Sequence, residues 1–309
     1  MDYRSLADTE IQVSAVCFGT WTIGGADWGR TDDRDSAKAI ARAFDLGITT
    51  FDTAPIYGGG HAEEILGTTL REVRDQVVIA TKCGPWEDEL GRLRLDLSRK
   101  GVFSQCEASL KRLRTDRIDL LQVHWNDPAW PVADTMETLN LLKQSGKIRA
   151  FGVSNFSLAE LRQALSGGAI SLQSQYGLLS TDIERDCLAE CARAGAGFLA
   201  YEPLGRGLLA GRYTATTRFQ DGDIRNTDAR FKGAAFKRNL ERVAKLKVVA
   251  ESLGISPAQA AIAWVLHNPA VTTAICGIRT AAQAVADAGA ADIRLDDSTA
   301  RKLRAIFGG

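Results

Sequence analysis

Four side chains in this 309-residue sequence stand where short apolar runs stop. Asp52 closes the run 49–51, Lys82 the run 77–81 and His124 the run 118–123, while Tyr57 follows Asp52 by five residues. An isolated charge at the end of an apolar strand is costly to bury, so Asp52 and Lys82, if on neighbouring strands, are expected to pair. A tyrosine beside that ammonium is expected to titrate below the usual value of about 10, because a nearby cation favours phenolate. Tyr57 would then serve as a proton donor to a developing alkoxide near neutral pH. His124 is placed to donate a hydrogen bond to the same oxygen. Taken singly, each has a plainer reading: a strand-end histidine held by its neighbours, or an architectural ion pair. Together, at the mouths of three consecutive strands and with no thiolate, metal cluster or serine elbow, they point to proton-coupled hydride transfer. His61 and His267 fall at a helix start and a helix end and do not join the set.

The elements that must position these groups alternate along almost the whole chain. Strands are expected at 15–18, 49–51, 77–81, 118–123, 150–153, 172–175, 197–201 and 273–276. Several are nearly continuous apolar runs, as parallel strands buried on both faces are. Helices are expected at 35–46, 63–72, 104–113, 134–145, 158–165 and 183–194, with Met136, Leu139 and Leu142 forming an inward stripe. Gly47, Gly146, Gly167 and Gly195 each follow a helix, where a positive φ can end it. Eight strand–helix units match a (β/α)8 TIM barrel, whose active site lies at the carboxyl ends of the strands. A doubly wound sheet would carry G-x-G-x-x-G after its first strand, but Gly19-Thr20-Trp21 stands there. Gly58-Gly59-Gly60 reads as a flexible loop. Residues 3–13, turning near Ala7-Asp8-Thr9, are expected to form an N-terminal β-hairpin capping one end of the barrel. The stretch 205–233, after strand seven, is long enough to be a lid or binding loop.

Composition narrows the partners. Hydrophobic residues make up 45% and charged residues 25%, which suits a packed domain and excludes disorder. Thirty-eight basic residues balance 38 acidic ones, so no electrostatic footprint for nucleic acid or a membrane surface is present. A small molecule is the expected partner. The six cysteines show no C-x-x-C pair and read as unpaired thiols of a reducing compartment. The uncharged run 256–278 is interrupted by Pro257, Gln259, His267, Asn268 and Pro269, so it reads as a helix, a turn and a strand rather than a membrane span. With no signal-peptide pattern at its start, the chain is expected to be one cytoplasmic domain over 1–309. No stripe or heptad fixes an oligomeric state.

The segments GITTFDTAPIYGGGHAEEILG (47–67), VVIATKCG (77–84), SLKRLRTDRIDLLQVHW (109–125), GKIRAFGVSNFS (146–157) and YEPLGRGLLAGRY (201–213) closely resemble the aldo-keto reductase superfamily. Within it the chain looks most like the bacterial inositol-operon and general-stress reductases. The resemblance implies a barrel that binds a nicotinamide cofactor without a Rossmann motif, and a catalytic tetrad of Asp52, Tyr57, Lys82 and His124. It implies hydride transfer to a carbonyl carbon while tyrosine protonates the oxygen. Gly19, Thr20, Trp21 and Asp52 would line the cofactor cleft, and Ser154, Asn155 and Gln175 would hold its carboxamide. Tyr201 would stack on the nicotinamide, and Glu202, Pro203, Leu204, Arg206 and Gly207 would border the pyrophosphate. Gly277, Ile278, Arg279, Gln283 and Asp287 match the adenosine-phosphate segment. Arg279 suits a 2′-phosphate, so NADP(H) is expected over NAD(H).

Three positions depart from the family pattern, one of them Ala286, where an acidic residue is common. Asp287 stands where many relatives have an adenine-contacting asparagine, and Glu202 where serine is common beside the pyrophosphate. Candidate substrate walls are Trp21, Ile56, Trp86 and Trp125, with Tyr57 and His124 at the reacting oxygen. Such a pocket suits aldehydes, ketones or the carbon face of a sugar. The expected function is an NADP(H)-dependent oxidoreductase working on carbonyls or the corresponding alcohols. The alternative is a cofactor-binding redox-sensing subunit with little turnover, as channel-associated relatives are. A Schiff-base enzyme using Lys82 is disfavoured, since Asp52 beside it would raise the amine's pKa rather than lower it.

Overall fold

The computed structural model describes residues 1–25, 27–29, 31–88 and 92–308. Strands β1 (Tyr3–Ser5) and β2 (Gln12–Ser14) precede β3 (Val16–Gly19), α1 (Asp33–Asp45), β4 (Thr50–Asp52), α2 (His61–Thr69) and β5 (Val78–Cys83). Then come β6 (Pro85–Glu87), β7 (Leu93–Leu95), α3 (Arg99–Leu113), β8 (Ile118–Val123), α4 (Val132–Gln144), β9 (Ile148–Ser154) and α5 (Leu158–Ser166). The chain continues through β10 (Ser171–Gln175), α6 (Cys187–Ala194), β11 (Gly197–Tyr201), α7 (Gly233–Ser252), α8 (Pro257–His267), β12 (Thr273–Gly277), α9 (Ala281–Ala288) and α10 (Asp297–Phe307).

Strands β3, β4, β5, β8, β9, β10, β11 and β12 close into a parallel barrel, with β12 pairing back onto β3. The fold is the expected (β/α)8 barrel. Its polarity follows from the period of two along each strand. Ile79, Leu121, Phe151, Phe198 and Cys276 point outward and pack with the helices in one large core. The alternate positions point inward. Val78, Ala80, Leu120, Ala150, Leu199 and Ile275 fill the amino-terminal half of the lumen. Further along the same strands the inward side chains become polar: Asp52, Lys82, Gln122 and Gln173, all buried. The apolar layer thus supports a polar one at the mouth.

The expected hairpin is present. β1 and β2 pair antiparallel, and Leu6, Ile11 and Val13 pack into the lower lumen layer. Leu6 is fully buried, and its Cδ1 lies only 2.5 Å from where a β-carbon on Gly197 would stand.

Several boundaries differ from expectation. The helix expected at 183–194 is a 3-10 turn, Asp182–Arg185, followed by α6; Asp186, at φ −130° and ψ −91°, breaks the helix and caps the second piece. After α5 the left-handed residue is Gly168 at φ +100°, and Gly167 stays at −84°. The helix expected from 104 starts at Arg99, where the Ser98 hydroxyl accepts from Gly101 N–H. The ribbon of β6 and β7, paired Trp86 to Arg94, was not anticipated. The segment 205–233 holds short 3-10 turns at Leu208–Ala210, Ile224–Asn226 and Ala229–Phe231. Among the described residues no single helix is long and apolar enough to cross a membrane.

Candidate active site

The barrel's hydrogen-bonding register sets β4 beside β5, with Asp52 opposite Ala80, so Lys82 reaches across to the aspartate. The Lys82 ammonium donates to Asp52 Oδ1 at 2.7 Å and to the Thr53 carbonyl at 2.8 Å. The second carboxylate oxygen accepts from Gln173 at 2.7 Å and Gln122 at 3.4 Å. These buried charges are therefore paired and hydrogen-bonded, as their depth requires. The two glutamines were missed as site residues. A signal was available, since each lies two residues before a candidate on its own strand, His124 and Gln175, and so faces the same side.

Tyr57 sits in the turn after β4, with the Lys82 ammonium 5.2 Å from its ring centroid and the His124 ring nearly perpendicular at 6.1 Å. That turn is tightly packed rather than loose. Gly58, Gly59 and Gly60 have φ of +65°, +62° and +96°. A β-carbon on Gly58 would come within 2.0 Å of the Gly24 carbonyl oxygen. The triple glycine read as a flexible loop is a left-handed turn whose first residue, Gly58, packs directly on the Gly24 backbone beside Tyr57.

The electrostatics correct one expectation. The Tyr57 pKa is pushed well above the usual phenol value, first by burial and then by the negative charge of Asp52. Burial and Asp52 outweigh the Lys82 ammonium, although it lies 5.2 Å from the ring centroid. Tyr57 is a phenol, holding its proton, throughout the neutral range. His124 is pushed well below 6.5 by burial and then by Lys82, so its imidazole is neutral. Its Nδ1 is buried without a hydrogen-bond partner among the described residues, as are Thr20 Oγ1 and Thr53 Oγ1.

Around this centre the other candidates fall into three groups. At the mouth, Trp21 stacks with Tyr57 at 6.3 Å between ring centroids, and Trp125 lies parallel to His124 at 3.9 Å. Trp86 is on β6, exposed like Trp125, and Ile56 is half-buried in the Tyr57 turn. Gly19 ends β3 and Thr20 N–H donates to the Asp52 carbonyl.

Across the barrel, Tyr201 donates to Asn155 Oδ1 at 2.8 Å, and the Asn155 amide donates to Ser154 Oγ and the His124 carbonyl, both at 3.1 Å. Glu202 and Arg206, both left-handed at φ +56°, bracket Pro203, Leu204 and Gly205, and Gly207 follows at +82°. The Glu202 carboxylate accepts from Gln175 and Arg230, both at 2.9 Å, and from Arg206 at 2.8 Å. Arg230 and its partner Asp228 were also missed; they lie in and before a single 3-10 turn, too short for a period to reveal them.

At the end of β12, Gly277 and Ile278 lead into a capping box, in which Thr280 Oγ1 accepts from Gln283 N–H and Gln283 Oε1 from Thr280 N–H. Arg279 donates to the Trp28 carbonyl at 3.1 Å, and its pKa is lowered by burial and by the charge of Arg225. Asp287 is buried in α9, and burial raises its pKa to about 7.

These residues fit a nicotinamide dinucleotide. Polar atoms without partners lie at the strand ends, and a carboxylate already sits among two guanidinium groups and an amide, donors that suit phosphate oxygens. Among the described residues no group of His, Cys, Asp and Glu could hold a metal ion.

Comparison with known proteins agrees with this geometry. Residues 15–307 match the model of the aldo/keto reductase family. The chain is 40% identical over 288 residues to aldo-keto reductase YhdN of Bacillus subtilis, covering 92% of this chain and 86% of that protein. It is 32% identical over 315 residues to an NADH-specific methylglyoxal reductase of Escherichia coli, covering 97% and 96%. The solved structure of glycerol dehydrogenase AKR11B4 from Gluconobacter oxydans superposes with a TM-score of 0.91 at 35% identity, covering 99% of this chain and 94% of that one.

Proposed function

The chain belongs to the aldo/keto reductase family, and we propose that it is an NADP(H)-dependent oxidoreductase interconverting carbonyls and alcohols with Tyr57 as the proton donor. One observation carries the reading: a protonated Tyr57 lies over the Asp52–Lys82 pair and faces a neutral His124, with Trp21 against the tyrosine and Trp125 against the histidine. A reduced nicotinamide, when bound, supplies the hydride. Tyr57 holds the proton at its hydroxyl and passes it to the carbonyl oxygen. His124, neutral, donates a hydrogen bond to that oxygen and fixes its direction. Lys82, anchored by Asp52 and the Thr53 carbonyl, keeps a positive charge under the tyrosine ring as phenolate character grows. In the oxidising direction Tyr57 must first lose its proton against burial and Asp52, so alcohol oxidation should rise with pH where carbonyl reduction does not.

Trp21, Trp86, Trp125 and Ile56 supply the walls for an aldehyde, a ketone or the carbon face of a sugar. Ser154, Asn155, Gln175 and Tyr201 would receive the carboxamide end, and Arg279 the 2′-phosphate. Arg279 is the ground for NADP(H) over NAD(H), although the Escherichia coli relative is named as NADH-specific. The reading treats 1–309 as one domain, and its six buried free cysteines suit the cytoplasm.

Two variants test these roles. Tyr57→Phe should lose turnover on the order of a thousandfold while dinucleotide affinity stays within a few-fold. Retained turnover would remove Tyr57 from the role of acid. Arg279→Ala should weaken NADPH binding far more than NADH binding in fluorescence titrations. Equal losses would reject the 2′-phosphate assignment.

A further inference from the structure

We propose that Glu202 is an internal competitor for the dinucleotide's phosphates: its carboxylate holds the donors that the incoming pyrophosphate needs. This rests on the reading of the site as a nicotinamide-dinucleotide cleft, and goes beyond it in assigning the chain an affinity-lowering residue. The carboxylate is 90% buried and saturated, with Oε1 accepting from Arg206 and Oε2 from both Arg230 and Gln175. Asp228 takes further contacts from the same two arginines, one with Arg206 at 3.1 Å.

Two arginines are thus balanced by two carboxylates. A phosphate approaching this cluster meets no net positive charge, and its oxygens find the guanidinium groups engaged. Desolvated pairs of this kind are strong, so displacing one takes a measurable share of the binding free energy. Gln175 adds a second link. Its amide is bonded to Glu202, so the group suited to a carboxamide and the groups suited to a pyrophosphate are held by one side chain. Breaking the Glu202 contacts would free both ends together, and dinucleotide entry would include that rearrangement as a step.

Glu202→Gln keeps the side-chain shape and removes the charge, and Glu202→Ser removes the competing group altogether. Both should bind NADPH, NADH and ADP-ribose about fivefold or more tighter than the unmodified protein, because all three ligands carry the pyrophosphate. The gain should be largest at low salt, where the uncompensated arginines act at longest range. In stopped-flow fluorescence the association rate should rise in both variants. Circular dichroism establishes that each variant is folded, and Glu184→Gln, which loses a carboxylate paired with Arg304, is the control for a change in net charge alone. Unchanged or weaker affinity in both variants would overturn the proposal and make Glu202 a support that positions the arginines. Failure of the unmodified protein to bind any of the three ligands would instead overturn the cofactor reading beneath it.

Discussion

Asp52, Tyr57, Lys82 and His124 were legible in the sequence because each interrupts or follows an apolar run, and polar groups in such places need partners. Their charge states were not. Burial and the negative charge of Asp52 outweigh the nearby Lys82 ammonium, so Tyr57 moves up instead of down. Summing opposing effects at one atom requires distances, which spacing along a chain does not supply. Asp287 shows the same limit. Read from sequence it is a change of adenine contact; in the fold it is a carboxyl only 4% exposed, with no hydrogen bond or ion pair among the described residues and a pKa of about 7. Its folded pKa lies above the unfolded value of about 3.9, so folding favours its protonated form. Stability from this group is present at acid pH and falls as pH rises from about 4 towards 7. Asp287→Asn removes that loss. The variant should match the natural protein near pH 4 and exceed it above pH 7 by on the order of a few kcal/mol, measured by denaturant unfolding. A constant difference across that range would mean that Asp287 titrates normally.

Strands were legible to within two residues, since buried parallel strands carry the strongest apolar signal in the chain. The exceptions are instructive. β6 and β7 are only three residues each, and that charged, largely exposed ribbon is too short for an apolar run or an alternation to mark it. Asp186 breaks a helix that composition alone would continue, because its side chain captures the Cys187 N–H and starts a new one. The glycine turn at 58–60 was seen but misread; three glycines look alike whether they loosen a chain or let two backbones touch. Contact with Gly24 decides it. Gly58→Ala places a β-carbon against a backbone oxygen at a left-handed position, and should cost at least about 1–2 kcal/mol of stability. Turnover should fall further than dinucleotide affinity if the turn, which adjoins Tyr57, positions it. A variant with unchanged turnover would show that the turn does not position the tyrosine.

At the scale of the whole molecule, one pattern links sequence, fold and site. Inward-facing positions are apolar where β1 and β2 plug the lumen, and become Asp52, Lys82, Gln122 and Gln173 towards the mouth. The barrel therefore buries an ion pair at the polar, mouth-side end of its lumen. The eight strand–helix units and the hairpin could be counted from sequence, whereas the ties across the mouth, such as Glu202 to Arg230 and Arg206 over Trp21, join segments whose spacing predicts nothing. The central claim is that this mouth is an oxidoreductase site. Its most direct test is a fluorescence titration of the purified protein with NADPH and, separately, NADH, followed in the same cuvette by an aldehyde, a ketone and an aldose, and by the alcohol-oxidising direction with NADP+. Tighter binding of NADPH and its consumption on adding a carbonyl is the predicted result; failure to bind either nucleotide, or binding with no turnover in either direction, would contradict it.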